Sequence, residues 1–599
     1  MKNDGENRFR ELWRRDRLIC RLVAAWCWFA VCALALGGDY TELSFGQEYS
    51  LGLVALWTFG NFLLFGLIAL AGYPFHTDSW CLISGATVCV WLWLINPPNG
   101  QNGVLFWIAA TAVYALFLLF TIHANKALLD RVRLNRPVAV AVGVTAAVIS
   151  CAVISVITCL RYKTFSSPNF DFGLFVNMFH NMKETGLPMI TSERDRLLSH
   201  FAVHVSPIYY LLLPFYWIFP SPLTLQIGQA VALMLGIIPV LLLAKHFKLS
   251  PKSTIAVSLL YAFYPALSTG CFYDIHENCF LPLFLLLTFY FFEIKCPVPM
   301  YFSALCVLMV KEDAAVYILI FAVYLLLSKR NYLHGGLLAL MACAYFALTA
   351  FLLERYGTGM MVNRFDNLIF NKEDGLLGVI KTALVNPGYL LTQMFTTGKG
   401  TWDKIVYFLQ LFLPLGMLPF CSKRASRWLL VAPVLMNLLT YYQYQYDLGF
   451  QYHFGIAAFL IYAMIGNLPH LSVNWRRSLL GVAVAGCLCL YVFRVVPTYN
   501  GYVERWQNNR EEYARMEEIL ETVPKDASVN CSTFLLAHIA DRSEIYEIAY
   551  HNDKPDVDYV VIDARYQDWE EKAEAYLRQG YEYEFLEEGR VVILKRTAE

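Results

Sequence analysis

Along this chain the apolar residues come in long unbroken runs, Leu51 to Tyr73, Trp80 to Ile95, Val104 to Ile122 and Val138 to Leu160 among them, instead of occupying one face of each element. Runs of that length predict helices that cross a bilayer, since about twenty residues are needed to span the hydrocarbon core. The first twenty-one residues carry Lys2, Arg8, Arg10, Arg14, Arg15, Arg17 and Arg21 ahead of an apolar run to Leu36. No small-residue cleavage site precedes Asp39, so this predicts an uncleaved first span with a cytoplasmic N-terminus. Lys126, Arg131, Arg133 and Arg136 place the loop after the fourth run in the cytoplasm, and the next polar interval therefore falls outside.

That interval, Phe170 to Pro207, opens with Asn169-Phe170-Asp171-Phe172-Gly173. Leu174, Phe175, Met178, Phe179 and Met182 recur at helical spacing, which predicts a short helix on the membrane surface, with Asp171 able to cap its start and Gly186 and Pro188 able to end it. Ile208 to Phe219 is too short to cross and is broken by Pro214, so it is expected in the interface or as a re-entrant segment, with Leu223 to Ala244 the crossing. That choice leaves Lys245, His246, Lys248 and Lys252 cytoplasmic. Alternation then continues through Ser253 to Gly270, Phe280 to Phe292, Tyr301 to Val310, Ala314 to Leu327 and Leu333 to Leu353. A second long polar interval covers Glu354 to Lys404, followed by runs at Val406 to Phe420, Leu429 to Thr440, Phe454 to Leu468 and Leu479 to Val496. About fifteen spans with an external C-terminus satisfy every basic loop.

Past Pro497 charges spread throughout, a helix is predicted around Glu504 to Thr522, and Tyr559 to Asp563 and Val591 to Leu594 read as strands. The expected organisation is an N-terminal transmembrane extension over 1–137 with about four spans. A transmembrane core follows over 138–497 with external loops 161–222 and 354–404, and a small extracytoplasmic α/β domain covers 498–599. That last domain has no phosphate loop, cysteine pair or nucleophile elbow.

Composition agrees with the pattern: of 599 residues 58% are hydrophobic and only 16% charged, which excludes an ordinary soluble protein. Net charge is zero, so nothing points to nucleic acid, and no Cys/His group has zinc spacing. The sixteen cysteines lie mostly inside apolar runs, where a thiol acts as a small apolar group.

The polar residues beside the spans carry the candidate chemistry. Asp171, the group Asp274, His276 and Glu277, the run Lys311-Glu312-Asp313, Tyr452 with His453, and the arginines of the second loop are all expected on the outer side. Ionisable residues at membrane depth are costly and usually face a cavity or a partner. Each also has a plainer reading. Asp171 could be only a helix cap, the Asp274 group a solvated loop, Lys311 and Glu312 a pair holding helices together, and the run Tyr441 to Tyr446 an interfacial aromatic belt. His200 and His204 are four apart and could hold a metal if helical, but without a placed carboxylate the signal is weak and hydrogen-bonded structural histidines fit better.

Phe170-Asp171-Phe172-Gly173, His204-Val205-Ser206-Pro207, Tyr273-Asp274-Ile275-His276-Glu277, Val310-Lys311-Glu312-Asp313 and Gln451-Tyr452-His453 together resemble the successive motifs of a large prokaryotic family of predicted membrane proteins catalogued as a domain of unknown function. The resemblance runs from about residue 160 into the C-terminal domain, and that family in turn resembles the GT-C superfamily of membrane glycosyltransferases. It implies an α-helical polytopic GT-C-like fold that uses a sugar on a polyprenyl phosphate and passes it to a hydroxyl of an envelope glycan, lipid or protein, with the bilayer as a further partner and no nucleic acid. Asp171 would be the base. Lys311, or Arg355 or Arg364, would steady the leaving phosphate. Asp274, His276, Glu277, Glu312, Asp313, His204, Tyr452 and His453 would contact substrate, and a divalent cation is the one cofactor left open. GT-C enzymes often carry a second acid differently placed, so the division of work among Asp274, Glu277 and Glu312 stays open. The rival readings are a transporter or flippase, against which no internal repeat is visible, and a scaffold whose external domain binds polymer.

Overall fold

The computed structural model describes residues 13–36, 49–71, 77–82, 84–86, 119, 133–359, 363–375, 377–396, 402–551 and 556–597. The runs expected at 80–95 and 104–122 lie largely outside these residues. Five described helices are long and apolar enough to cross a membrane: Leu51–Ala71, Arg136–Lys163, Pro222–His246, Tyr332–Tyr356 and Gln451–His470. Pro251–Ala262 and Pro265–Cys271, bent by 41°, add a sixth if they form one span. The multi-pass helical architecture is as the sequence predicts. The count of about fifteen included shorter apolar runs, which fold as shorter helices.

Three of those short helices shape the interior: α1 (Leu281–Glu293), α2 (Pro297–Leu308) and α3 (Ala315–Leu327), with 13, 12 and 13 residues. At 1.5 Å per residue each is about 20 Å long against a hydrocarbon core of about 30 Å. At one end Glu293 ties the bundle together, accepting from Lys329 Nζ at 2.7 Å and Tyr462 Oη at 2.6 Å. At the other end lie the loops that carry Glu277, Lys311 and Glu312.

Helix α4 (Arg136–Lys163) delivers the chain to that end. Asn135 caps it by accepting from Val138 N, Pro137 fits its first turn, and Arg161 and Lys163 sit in its last turn, where a cation suits the helix dipole. It packs on the helices at 222–234 and 251–262, and Gly143 permits the close approach to the latter: a Cβ there would lie 2.8 Å from Ser258 Oγ.

Helix α5 (Leu174–Thr185) ends at Gly186 as its spacing predicts, with Gly186 left-handed at φ 76°. Its start corrects the sequence expectation, because the cap position is Gly173 and no side chain caps it. Its position corrects another. Leu174 to Met182 are all buried save His180, and Asn177 Nδ2 donates to the carbonyls of Ala540 and Arg542, so the helix is covered by the C-terminal domain rather than exposed along one face. An amphipathic pattern specifies that one face is buried, not what buries it.

The C-terminal domain is a five-stranded mixed sheet of β1 (Val529–Cys531), β2 (Ile545–Glu547), β3 (Tyr559–Asp563), β4 (Tyr581–Glu587) and β5 (Val591–Arg596) in the order β2-β1-β3-β5-β4. The first three are parallel and the last two antiparallel. All five residues of β3 are buried, as a central strand covered on both faces requires. The helix of the last apolar run does not stop at Pro497: α6 (Val473–Asn508) continues through it toward this domain.

Candidate functional site

Between α4 and α5 the backbone turns through Asn169–Gly173, where Asp171 takes φ 75° and ψ −64°. An L-residue in that region is strained by roughly 1–3 kcal/mol and persists only where its surroundings hold it. Asn169 supplies the hold, its N donating to Thr533 Oγ1 at 3.1 Å and its Nδ2 to Glu547 Oε2 at 2.7 Å, while Phe172 is fully buried. Gly173 lets the turn sit against the C-terminal domain, since a Cβ there would meet Leu536 at 2.8 Å. The strained turn leaves the Asp171 side chain 37% exposed, with Oδ2 3.4 Å from His276 Nε2.

Beneath it the other acids are spoken for. Asp274, also strained at φ 115°, is fully buried and accepts from Arg161 Nε at 3.1 Å, Ser167 Oγ at 2.9 Å and Gln226 Nε2 at 2.5 Å. Glu277 pairs with Lys311 Nζ at 3.2 Å and accepts from Tyr209 Oη at 2.8 Å. Glu312 pairs with His204 Nδ1 at 2.9 Å and accepts from Val205 N at 3.2 Å. These groups are almost dry, and a buried charge without a partner is far costlier than a paired one. The result is a rigid floor of ion pairs. Asp171 and Asp313 are the two carboxylates of the group that keep partial exposure.

Burial pushes the Asp171 carboxyl up, but the His276 imidazole beside it, with Lys311 beyond, brings it net below the usual carboxylate range. Burial lowers His276, but Asp171 and then Glu277 outweigh it and raise the imidazole above its ordinary value. The His276 contribution to stability is therefore complete below the unfolded value of 6.5 and is lost as pH rises through the raised folded value. The Asp171 contribution is present above 3.8 and is lost as pH falls through its lowered value. His276→Gln is accordingly expected to lower the melting temperature of the purified protein most between about pH 4 and pH 6.5, with the gap narrowing as the medium turns alkaline. A gap that stays constant from acid to alkaline pH would remove the charge pair from the account.

The remaining sequence candidates divide. Arg364 lies over the rings of Tyr442 at 4.6 Å and Tyr452 at 5.1 Å, which turns part of the tyrosine run from a belt into a cation cradle. Arg355 is exposed on its own helix with its guanidinium over Tyr356, and no contact joins it to the cluster among the described residues. His453 is fully buried against Phe454 and Tyr407 and makes no ion pair among the described residues. His200 and His204 lie in and beside a short 3-10 turn with ring centroids 6.1 Å apart but take different partners, His200 Nδ1 facing Glu193 at 3.3 Å. No group of three His, Cys, Asp or Glu among the described residues could hold a metal, and the carboxylates of Asp274 and Glu277 are already engaged. Sequence reasoning missed Arg161, Tyr209 and Gln226. Gln226 did leave a signal, a polar residue inside an apolar run, and with Arg161 it marks the burial of Asp274.

Comparison with known proteins gives three results. A family described as predicted membrane protein (DUF2079) matches residues 161–582. No curated protein matches the sequence. Among solved structures, ArnT from Cupriavidus metallidurans bound to undecaprenyl phosphate aligns at 12% identity and TM-score 0.46 over 76% of this chain and 98% of that one. The same protein in the apo state aligns at 10% identity and TM-score 0.40 over 74% and 97%. Both scores are below 0.5, so neither superposition by itself defines the fold.

Proposed function

The chain belongs to the DUF2079 family of predicted membrane proteins, and from that premise we propose that it is a membrane glycosyltransferase. It moves a sugar from a polyprenyl-phosphate donor to an acceptor hydroxyl at the outer face of the cytoplasmic membrane, in envelope glycan assembly. The observation that carries this is the contrast within one cluster: Asp171 is strained and open, while Asp274, Glu277 and Glu312 are buried and locked in pairs. An acid held that way is suited to take a proton from a ligand rather than to hold the fold. The donor class comes from the motif resemblance to GT-C enzymes.

In the proposed step Asp171 accepts the acceptor's hydroxyl proton as that oxygen bonds to the anomeric carbon. The bond from that carbon to the phosphate oxygen breaks, its electron pair leaves with the lipid phosphate, and the anomeric configuration inverts. Lys311 and Arg364 are the cations placed to offset charge on the departing phosphate. His276 orients Asp171, and Asp313 faces the acceptor hydroxyls. The bundle is proposed to stand with the C-terminal domain outside, 1–137 as an added transmembrane unit, and 138–497 as the core.

The test uses membrane vesicles containing the full chain and labelled sugars on polyprenyl phosphate, with incorporation into envelope material as the readout. Transfer from at least one donor is the expected result. Intact protein that transfers from none of the panel would overturn the assignment.

A further inference from the structure

A separate cavity of about 340 Å³ lies where the end of α4, the far end of α6 and the C-terminal domain meet. Three arginines line it: Arg161 from α4, Arg505 from α6 and Arg565 from the segment after β3. Two of them are matched by acids that do not themselves line the cavity. Arg161 pairs with Asp274, and Arg565 grips Asp563 through Nε at 2.8 Å and a terminal nitrogen at 2.6 Å. Arg505 donates to Ser166 Oγ at 3.4 Å and lies over the Tyr502 ring, with no carboxylate partner among the described residues. The cavity therefore holds three guanidinium groups against two carboxylates set behind them, a net positive site built to receive an anion.

The rest of the lining narrows the class. Phe534 and Tyr566 form a stacked pair, with ring centroids 6.1 Å apart and planes 11° from parallel, and Tyr566 is 48% exposed. Tyr513 and Thr164 line the cavity beside them, so aromatic faces and hydroxyls surround the positive centre. Flat aromatic faces pack against the C–H faces of a sugar ring, and hydroxyl and guanidinium groups donate hydrogen bonds to its oxygens. The volume is at the low end of the range for small-ligand pockets.

The lining runs outward from the membrane boundary, where Arg161 stands one residue past Leu160 at the end of the apolar run of α4. Tyr502 and Arg505 stand six and nine residues past Val496, where the apolar part of α6 ends, which is about 9 and 13 Å further along the axis. The head-group layer adds only about 5–8 Å to each side of the hydrocarbon core. Phe534, Arg565 and Tyr566 come from the C-terminal domain itself.

We propose that this cavity binds a saccharide carrying a phosphate or carboxylate group, at a site separate from Asp171 and whether or not Asp171 acts as a base. The C-terminal domain then recognises acidic carbohydrate as well as roofing the bundle.

The experiment titrates the full chain in phosphatidylcholine nanodiscs with glucose 1-phosphate and with glucuronate, reading heats of binding, with glucose and inorganic phosphate as controls. Both sugar anions are expected to saturate, and glucose and phosphate each to bind at least roughly tenfold more weakly. Arg505→Ala, at an exposed position, is expected to weaken both sugar anions roughly tenfold or more. Tyr566→Ala is expected to weaken them also, and both variants keep the wild-type melting temperature, whereas Asp171→Asn binds as wild type. Any of four results would overturn the proposal: no saturable binding, wild-type affinity in both variants, loss of binding in Asp171→Asn, or inorganic phosphate as tight as glucose 1-phosphate. Displacement of bound glucuronate by phosphatidylglycerol in the nanodisc would also overturn it, by making the site a lipid head-group site.

Discussion

Asp171→Asn is expected to lower sugar transfer by roughly 10²–10⁴-fold, the range a positioned general base contributes, while the protein remains folded. Asparagine keeps the size of the side chain and, like aspartate, tolerates positive φ better than most residues. It also keeps a polar oxygen beside His276, whose Nε2 lies 3.4 Å from Asp171 Oδ2. What it cannot do is take the acceptor's proton. The measurement is labelled transfer in vesicles with matched protein amounts, together with a melting curve for each sample. Transfer close to wild type would return Asp171 to a structural role and move the transporter reading ahead. Loss of transfer with collapse of the melting transition would be settled by Asp171→Glu, which retains a carboxylate and is expected to recover part of the transfer.

The second large effect concerns Glu277 and Lys311, whose side chains are nearly dry and whose charged atoms are 3.2 Å apart. Removing one member of such a pair leaves the other buried without its counter-charge, at a cost of about 3–5 kcal/mol. Lys311→Met alone is therefore expected to lower the melting temperature by several degrees and to reduce yield. Replacing both, as Glu277→Gln with Lys311→Met, is expected to restore most of the stability, because the introduced amide oxygen would still accept from Tyr209 and no charge remains unpaired. Transfer then separates two roles for the lysine. If Lys311 only fastens α2 and α3 to the loop before α1, the double replacement regains transfer along with stability. If it also offsets charge on the leaving phosphate, stability returns and transfer does not, and the proposed mechanism requires that second result. A single replacement with an unchanged melting temperature would show that the pair carries little weight in the fold.

Much of the fold was legible because its causes are local. Apolar runs marked α4 and the 332–356 helix, and two β-branched runs marked β3 and β5. The candidate cluster was legible in part for a similar reason: charges such as Lys311 and Glu312 inside apolar surroundings are conspicuous wherever they end up. Their partners were not. Glu277 could have paired with His276 beside it, yet its partners are Lys311 and Tyr209, and Glu312 is held by His204 rather than by Lys311 next to it. Neighbours in sequence on a loop point in different directions, and the pairing depends on which helices meet there.

Asp171 shows the division most clearly. Its place after a long span, before an amphipathic segment and a glycine, is fixed by sequence, and so is its candidacy as an acid at the end of a crossing. A helix cap and an open base are indistinguishable at that level, since both call for an aspartate in the same position. The choice rests on the backbone at φ 75°, which turns the carboxylate from the start of α5 toward His276 and which is held by contacts with Thr533 and Glu547 more than three hundred residues away. The sequence by itself determined a polytopic helical protein with a small sheet domain and a set of charges needing partners, because hydrophobic run length and the cost of burying charge are properties of residues. Only the tertiary structure decided which charges became floor, which acid stayed open, and where the C-terminal domain placed its arginines. Those outcomes depend on distances between segments far apart in the chain.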